Sequence, residues 1–211
     1  MTHFVSALRL DRAAVKALKI TDTYSLHRVV YGLFDDVRSE EDKLRSDPSG
    51  IQWVDKGGDR HYRNILILSN RPPRDPEYGN VETKILPPAF LSHQHYRFTV
   101  TVSPGRRNNQ SRKIVPVKGR EAIAAWFTER AADSWGFTVD PARLQVDAVN
   151  VQQFQGKAQH QITLQQATLS GYLTVSDSDA FKVIFSKGLG RGRSFGCGLL
   201  QIVPVIDPSV F

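Results

Sequence analysis

The sequence predicts an α+β protein built from two tandem units of similar element order. Three observations support this prediction: each half of the chain begins with a strand-like apolar pattern, each then has an amphipathic helical segment, and Pro87-Pro88 separates the halves. The 211 residues are enough for one or two domains. A hydrophobic fraction of 40% and a charged fraction of 23% exclude a disordered or fibrous chain.

The first half is predicted to contain one helix and four strands. The strands are expected at residues 4–10, 51–54, 62–69 and 81–86. Thr21-Asp22-Thr23 supplies N-cap residues for the helix, which is expected over residues 24–34. After a charged, solvated connection over 35–50, Gly57-Gly58 is expected to form the turn of a hairpin. The proline-rich segment 71–76 excludes a regular second helix.

The second half is predicted to contain two helices and more strands. The strands are expected at residues 97–102, 114–117, 144–154, 161–175 and 199–203. The first helix is expected within 119–135. The second is expected to begin at a capping-box variant, Ser176-x-x-Asp179, and to end at Gly188. A change of apolar phase in the strand over 161–175 predicts a bulge near Gln165-Gln166.

Both halves therefore have the ferredoxin-like order β-α-β-β-α-β, with the second helix degraded in the first half. We expect an N-terminal domain over 1–88, which carries the helix over 24–34. We expect a C-terminal domain over 89–211, which carries a glycine-rich loop and basic loops. No residue-level repeat relates the halves, so the duplication rests on element order.

The charge balance of the chain is basic. Lys and Arg number 28 against 21 Asp and Glu, which gives a net charge of +7. This charge is compatible with nucleic acid binding, although many basic proteins bind none. Cys197 is the single cysteine, so an internal disulfide is excluded and a reducing cytoplasm is favoured. The apolar runs are too short for a membrane span, and residues 1–12 lack the apolar region of a signal peptide.

The predicted helix over 24–34 has two contrasting faces. An apolar stripe at helical spacing is formed by Leu26, Val29, Val30 and Leu33. The nearly opposite face carries Tyr24, His27, Arg28 and Tyr31. An imidazole suits proton transfer near neutral pH, and a phenol one turn away can orient or polarise an oxygen. The spacing alone favours a solvated surface histidine, whereas the functional interpretation places this face in a groove.

A glycine-rich segment over 188–198 has five glycines in eleven positions. It follows a predicted helix and precedes a strand, so it is not a dinucleotide fingerprint, and it lacks the Gly-Lys-Ser/Thr of a P-loop. Its glycines, Gly190 among them, allow the backbone to approach an anion closely. Arg191 and Arg193 suit phosphate contacts, and Phe195 can stack on a base or pack. A tight connection between helix and strand is the alternative.

Two further loops of the second half are basic. No acidic residue occurs in the loop over 103–113, whose cations are Arg106, Arg107, Arg112 and Lys113. The loop over 154–160 contains Lys157. Such loops are usually just solvated. Together with the two arginines of the glycine-rich segment, however, these cations predict an electrostatic footprint for nucleic acid.

No metal or cofactor is expected. His93 and His95 form the one close histidine pair, and a single cysteine offers no partner for a structural zinc site. The acidic runs Asp35-Asp36 and Glu40-Glu41-Asp42 are expected to be solvated. A two-metal carboxylate site at these runs is the weaker alternative.

Three local signatures of the sequence match a known family. The first is Tyr24-Ser25-Leu26-His27-Arg28 with the residues that follow it, the second is 113–117 leading into a helix with Ala125-Trp126, and the third is 187–200. They occur in the family's order and at about its spacing, so they cover nearly the whole chain. On these residues the sequence resembles the CasE family of CRISPR-associated endoribonucleases, the repeat-RNA processing subunits of the Cascade complex.

The resemblance implies the tandem ferredoxin-like fold and a metal-independent cut of a CRISPR repeat hairpin, which leaves a 2′,3′-cyclic phosphate and a 5′-hydroxyl. It implies His27 as a catalytic proton-transfer residue assisted by Tyr24, with no cofactor. Acid–base groups suffice for this reaction, because the attacking 2′-OH loses a proton and the leaving oxygen gains one. The implied partners are the repeat RNA stem-loop and other Cascade subunits, with no membrane and no DNA contact by the isolated chain.

The resemblance also gives the cationic loops a role as an RNA-binding surface. The predicted RNA-binding residues are Arg28, Arg106, Arg107, Arg112, Lys113, Lys157, Gly190, Arg191, Arg193, Ser194 and Phe195. A non-catalytic guide-RNA-binding subunit of the same fold is the runner-up, and a general basic nucleic-acid-binding module is the third interpretation. His27 on a polar helix face favours the enzyme, because a pure binder has no need of an imidazole there.

Overall fold

Each half of the chain is built on an antiparallel sheet, as a computed structural model shows. The structure describes residues 2–45, 48–156 and 160–205. The chain forms two units: the first contains the residues up to Pro87 together with Ser194–Gly196, and the second contains Pro88–Arg193 and the residues from Cys197 onward. Three residues of the glycine-rich segment therefore belong to the first unit, although they lie more than 100 positions after Pro87 in the sequence.

The sheet of the first unit has four strands. They are β1 (Phe4–Asp11), β2 (Ile51–Gly58), β3 (Tyr62–Ser69) and β4 (Asn80–Ile85). The strand order is β2-β3-β1-β4, and all neighbouring pairs are antiparallel. The described residues 70–79, between β3 and β4, form no helix. The predicted ferredoxin-like order with a degraded second helix is confirmed for this unit.

Three helices lie in the described part of the first unit. They are α1 (Arg12–Ala17), α2 (Thr23–Gly32) and α3 (Glu40–Leu44). Helix α2 confirms the helix expected over 24–34, apart from its last two residues. Helices α1 and α3 are not predicted by the sequence pattern, because segments of six and five residues are too short to show a helical period.

Helix α2 begins at a capping box. The Asp22 carboxylate accepts a hydrogen bond from the backbone N of Ser25 at 2.7 Å, and the Ser25 hydroxyl accepts one from the backbone N of Asp22 at 3.0 Å. The apolar face of the helix is buried with the strands in one core: Leu26 and Val30 are at most 1% exposed. The predicted stripe is confirmed, and it fixes which side of α2 turns away from the core.

The hairpin between β2 and β3 turns later than predicted. Strand β2 continues through Gly58, and its register against β3 shifts between Asp55 and Gly58. The turn lies at residues 59–61, where the Asp59 carboxylate accepts hydrogen bonds from the backbone N of His61 at 2.7 Å and of Tyr62 at 2.8 Å. The expected turn at Gly57-Gly58 is therefore wrong, because an aspartate side chain rather than the glycine pair organises the reversal.

The second unit repeats the ferredoxin-like order. Its main sheet contains β5 (His95–Val102), β8 (Phe137–Val139), β9 (Gln145–Gln155), β10 (Gln161–Val175) and β11 (Gln201–Pro204). The order is β11-β5-β10-β8, and β9 also pairs with β10. Two α-helices lie in its described part, α4 (Arg120–Ser134) and α5 (Ser178–Lys187), and a separate hairpin is formed by β6 (Gly105–Arg107) and β7 (Ile114–Pro116). The predicted fold class is confirmed.

Two local details of the second unit differ from expectation. The register shift in β10 lies between Thr168 and Leu169, not at Gln165-Gln166. Helix α5 is capped by Asp177, whose carboxylate accepts hydrogen bonds from two backbone N–H groups at 3.0 Å, so Ser176 is not the cap. Gly188 ends α5 as predicted, with a φ of +83°. In the described part of the chain, no helix is long and apolar enough to cross a membrane.

Candidate functional site

His27 lies on the face of α2 that turns away from the core, and its ring is held by the backbone. The ring Nδ1 lies 2.8 Å from the carbonyl oxygen of Ser194. A carbonyl oxygen can only accept a hydrogen bond, so Nδ1 carries the hydrogen. The other ring nitrogen, Nε2, then has a lone pair when the imidazole is neutral. The contact with Ser194 thus assigns the tautomer that presents Nε2 as a proton acceptor.

Three aromatic rings surround the His27 imidazole. The ring centroid of Tyr31 lies 4.2 Å from that of His27, and those of Phe195 and Tyr24 lie at 5.9 Å and 6.0 Å. The Tyr24 ring is nearly parallel to the imidazole, with an interplanar angle of 19°. We call His27, Tyr24, Tyr31, Ser194 and Phe195 the His27 cluster. The cluster brings together four residues that the sequence proposed as catalytic or RNA-binding, and it adds Tyr31.

The surroundings of His27 change its protonation. Partial burial lowers the pKa of His27 below its usual 6.5, and the hydrogen bond with the Ser194 carbonyl offsets part of this effect. The imidazole is therefore mainly neutral at pH 7. A neutral imidazole with an available Nε2 can take a proton from a hydroxyl group that comes within hydrogen-bond distance.

A chain of hydrogen bonds fixes Tyr31. The Ser49 hydroxyl donates to the Tyr31 Oη at 3.2 Å, and Arg71 donates from Nη1 to the Ser49 carbonyl oxygen at 2.9 Å. The same guanidinium donates from Nη2 to the Asp35 carbonyl oxygen at 2.7 Å and lies 5.6 Å from the Phe34 ring centroid. The sequence pattern predicts the face of α2 on which Tyr31 lies but does not indicate its role, because that role depends on contacts with residues distant in sequence.

Gly196 lies two residues after Ser194, where the glycine-rich segment packs against Trp53. The φ of Gly196 is +78°, a conformation that L side chains rarely adopt. A Cβ atom at this position would lie only 3.1 Å from the Cζ3 atom of Trp53, which is 1% exposed and cannot move easily. Both the positive φ and the short distance to Trp53 therefore favour glycine at position 196.

The other residues of the glycine-rich segment lie outside the His27 cluster. Gly190 and Arg191 are exposed. Gly190 has a φ of +65°, and a Cβ atom added there would have no described atom within 4 Å. Arg193 donates from Nη1 to the Lys187 carbonyl oxygen at 2.9 Å, so it closes the end of α5. Arg28 is exposed on α2. These positions leave Arg28 and Arg191 available to an external anion.

The cations of the 103–113 loop lie on or beside the β6–β7 hairpin. Arg106 donates to the Glu129 carboxylate at 2.5 Å, and both side chains are exposed. Arg107 donates from Nε to the Arg112 carbonyl oxygen at 3.3 Å. Arg112 and Lys113 are exposed. The structure therefore brings these four cations together, with the charge of one partly offset, while Lys157 lies outside the described residues.

Acidic and sulfur ligands do not converge within the described residues. No group of three His, Cys, Asp or Glu side chains there is arranged to hold a metal ion. The Asp42 carboxylate pairs with Arg45 at 2.8 Å, and the Asp36 carboxylate pairs with Arg38 at 3.0 Å. Burial raises the pKa of the Cys197 thiol to about 12, so this thiol is protonated.

Comparisons with known proteins agree with this architecture. A family model described as CRISPR associated protein matches residues 3–204. A comparison with curated protein sequences finds no match. A solved structure of the CRISPR endoribonuclease Cse3 bound to a 19-nucleotide RNA is similar, with a TM-score of 0.80, 20% identity, and coverage of 97% of this chain and 100% of that one.

Two more solved structures share the fold. The CRISPR-associated protein Cas6e from Escherichia coli K-12 gives a TM-score of 0.63 at 19% identity, over 96% of this chain and 100% of that one. A chain of a CRISPR RNA-guided surveillance complex gives 0.73 at 20% identity, over 96% and 100%. At such identities the structural likeness establishes the fold, and the family model covers most of the sequence. The chain therefore belongs to the CRISPR associated protein family.

Proposed function

We propose that this protein is an endoribonuclease that cuts CRISPR repeat hairpins in precursor RNA to give mature guide RNA, without a metal ion. The observation that carries the proposal is the fixed, mainly neutral imidazole of His27, whose Nε2 can accept a proton. The fold shared with a CRISPR endoribonuclease bound to RNA supports the same substrate class. The exposed cations of the second unit supply the charge that an RNA backbone needs.

In the proposed reaction His27 acts as the general base. Nε2 takes the proton of a ribose 2′-OH, and the 2′-oxygen attacks the adjacent phosphorus. The bond from phosphorus to the 5′-oxygen then breaks, and the Tyr24 phenol gives its proton to that oxygen. The products are a 2′,3′-cyclic phosphate and a 5′-hydroxyl, and exchange with solvent returns the imidazole and the phenol to their starting forms.

The remaining members of the His27 cluster position the base. Tyr31 packs on the imidazole at 4.2 Å and is itself held by Ser49. The Ser194 carbonyl keeps Nδ1 protonated, so the ring does not need to change tautomer before it reacts. Arg28 on the same helix offsets the charge that develops on the phosphate.

RNA binding is assigned to the exposed cations and to the glycine-rich segment. Arg107, Arg112 and Lys113 contact phosphates from the β6–β7 hairpin, and Arg106 does so more weakly because Glu129 offsets its charge. Gly190, Arg191 and Arg193 add contacts from the glycine-rich segment, and Phe195 packs beside the reacting nucleotide. The proposed partners are the repeat stem-loop and the other subunits of Cascade, in line with the fold shared with a chain of a surveillance complex.

The test is incubation of the protein with repeat hairpins in EDTA, followed by mapping of the product ends. We expect cleavage to continue in EDTA and to leave the two ends named above. His27→Ala should lower the single-turnover rate by at least about 100-fold and leave hairpin affinity unchanged, because general acid–base catalysis contributes about that much. His93→Ala is the matched control, since His93 is exposed and lies outside the cluster.

Each result of this test separates the alternatives. Loss of wild-type cleavage in EDTA would contradict the metal-free mechanism. Normal cutting by His27→Ala would contradict the site. Tight, selective hairpin binding with no cleavage by the wild type would support the non-catalytic guide-RNA-binding subunit instead.

A further inference from the structure

The first unit contains a concave site between α1 and the β2–β3 hairpin. Its volume is about 690 Å³. Its floor is apolar and includes Val15 and Ile20. No member of the His27 cluster lines it, so we call it the α1 cleft and treat it as a separate site.

The rim of the α1 cleft is basic. Arg12, Lys16 and Lys19 line it, all exposed, and none makes an ion pair or a side-chain hydrogen bond within the described part of the chain. Arg12 and Lys16 are four residues apart on α1, so their like charges repel along one helix face. The nearest carboxylate on this helix is the N-cap Asp11, which accepts a hydrogen bond from the backbone N of Ala14 at 2.7 Å and makes no ion pair with Arg12 or Lys16 within the described residues. An anion in the cleft would relieve the repulsion.

The carboxylates of the α1 cleft are already engaged. Asp55 accepts from Arg63 at 2.6 Å, and Asp59 accepts from the two backbone N–H groups of the hairpin turn. These hydrogen bonds lower the pKa of Asp59, so its charge persists at neutral pH without a cation of the rim. Because Arg63 neutralises Asp55, the charges of Arg12, Lys16 and Lys19 stand against the single carboxylate of Asp59, and the cleft keeps a net positive charge.

The backbone holds one of these cations in an unusual conformation. Lys19 has a φ of +51°, which is uncommon for a residue other than glycine, asparagine or aspartate. The conformation is part of the turn after α1, in which the backbone N of Lys19 donates to the Lys16 carbonyl oxygen at 3.1 Å. The turn thus places two lysines at the rim together.

An aromatic ring completes the cleft. Tyr62 lines it from β3 and is 50% exposed, although a large aromatic side chain is usually more buried. Aromatic faces stack on nucleic acid bases regardless of sequence, and lysines and arginines bind phosphates. An aromatic ring, an apolar floor and unpaired cations around one cavity match a base joined to a phosphate.

The α1 cleft also lies beside the beginning of the proposed catalytic helix. Thr21 lines the cleft, and Tyr24 lies three residues later on the first turn of α2. An RNA strand that passes Tyr24 can therefore reach the cleft with a few unpaired nucleotides. We propose that the α1 cleft binds a nucleoside phosphate, supplied either by unpaired RNA next to the cleaved hairpin or by a free nucleotide. Binding of unpaired RNA next to the hairpin rests on the proposed function, whereas binding of a free nucleotide does not.

The test compares binding of matched RNAs by fluorescence anisotropy. The first RNA is a repeat hairpin with a 2′-deoxy nucleotide at the cleavage site, which removes the attacking hydroxyl. The other two are the same hairpin with four unpaired nucleotides added on the 5′ side or on the 3′ side. UMP and ATP, titrated by calorimetry, probe free nucleotides. Lys16→Gln/Lys19→Gln and Tyr62→Ala are compared with the control pair Lys84→Gln/Lys182→Gln, which changes charge equally at exposed positions outside the cleft.

We expect the unpaired nucleotides on one side of the hairpin to increase its affinity for the wild type. The double lysine variant should bind this flanked RNA no more tightly than the bare hairpin. Its salt slope with flanked RNA should fall by about 1.4, because each lost phosphate contact on a single strand contributes about 0.7. Tyr62→Ala should weaken flanked binding about fivefold or more through lost stacking, while Tyr62→Phe restores it. Binding of the bare hairpin should not change in any of these variants.

The arms distinguish the outcomes. Loss confined to flanked RNA identifies an RNA strand as the ligand, and loss of UMP or ATP binding identifies a free nucleotide. If the cleft variants match the control in every arm, or if the wild type binds neither flank nor nucleotide, the α1 cleft is not a nucleotide site. That result would not contradict the assignment of His27. If the wild type proved unable to cleave RNA, the binding measurements would still test the α1 cleft.

Discussion

The His27 cluster and the β6–β7 hairpin differ in how each holds its charged or titratable groups. In the cluster, one imidazole is partly buried, fixed by a backbone carbonyl and packed among three aromatic rings. On the hairpin, four cations are exposed, and among the residues that the structure describes Arg106 alone of the four has an acidic partner. Burial changes the pKa of a group and fixes its orientation, which proton transfer needs. Exposure leaves charge available to a flexible polyanion, which phosphate binding needs.

Among the changes that leave the His27 side chain in place, the largest effect is expected from breaking the cluster's backbone contact. Gly196→Ala introduces a Cβ about 3.1 Å from Trp53 and forces alanine into a positive φ. We expect the free energy of unfolding to fall by about 1–3 kcal/mol and the single-turnover rate to fall about 10- to 100-fold, because the Ser194 carbonyl shifts away from Nδ1.

The control for Gly196→Ala is Gly119→Ala. Gly119 also has a positive φ, +87°, but nothing lies within 4 Å of its virtual Cβ. Chemical denaturation and single-turnover cleavage measure both effects. Equal rates for the two variants would show that the Ser194 contact does not position His27.

The next effect is the pH dependence of cleavage. A general base must be neutral, and the pKa of His27 is lowered from 6.5. The single-turnover rate should therefore rise about tenfold per pH unit below that lowered pKa and level off above it. A rate that falls as the pH rises through this range would make His27 the proton donor and contradict the assignment of the base.

The smallest effect is expected on the hairpin. Arg107→Gln should weaken RNA binding about threefold and lower the salt slope by about 0.7–0.9, with no change in the rate at saturation. Arg106→Gln should have a smaller effect, because Glu129 already offsets its charge at 2.5 Å. Arg130→Gln, an exposed position on α4, is the control in anisotropy titrations. Equal losses for Arg106 and Arg107 would show that the ion pair opens when RNA binds.

Local sequence patterns predict the elements whose causes are local. The apolar stripe and the N-cap at Asp22 predict α2, and Gly188 predicts the end of α5. The hairpin turn at 59–61 and the cap at Asp177 are missed because, in each case, a single carboxylate organises the backbone one or two residues from the expected position. Helix α1 is missed because its six residues are too few to show a period.

The candidate site is predictable only in part, for the same reason. Tyr24 and His27 share a helix, so their spacing places them on one face. The partner of the imidazole lies 167 positions away in sequence, and no periodicity or composition indicates a contact over that separation. Tyr31 is held by a hydrogen bond from Ser49, which Arg71 in turn holds, and both residues are also distant in the chain.

The contact between His27 and Ser194 has a consequence for synthesis of the protein on the ribosome. The strands and helices of the first half can form as soon as they emerge, since domains generally fold as units from the N-terminus. The imidazole, however, acquires its carbonyl partner only when residue 194 has left the exit tunnel. A nascent chain or a truncated translation product that stops before this residue can therefore display a folded first sheet and still lack the carbonyl that fixes the proposed catalytic imidazole.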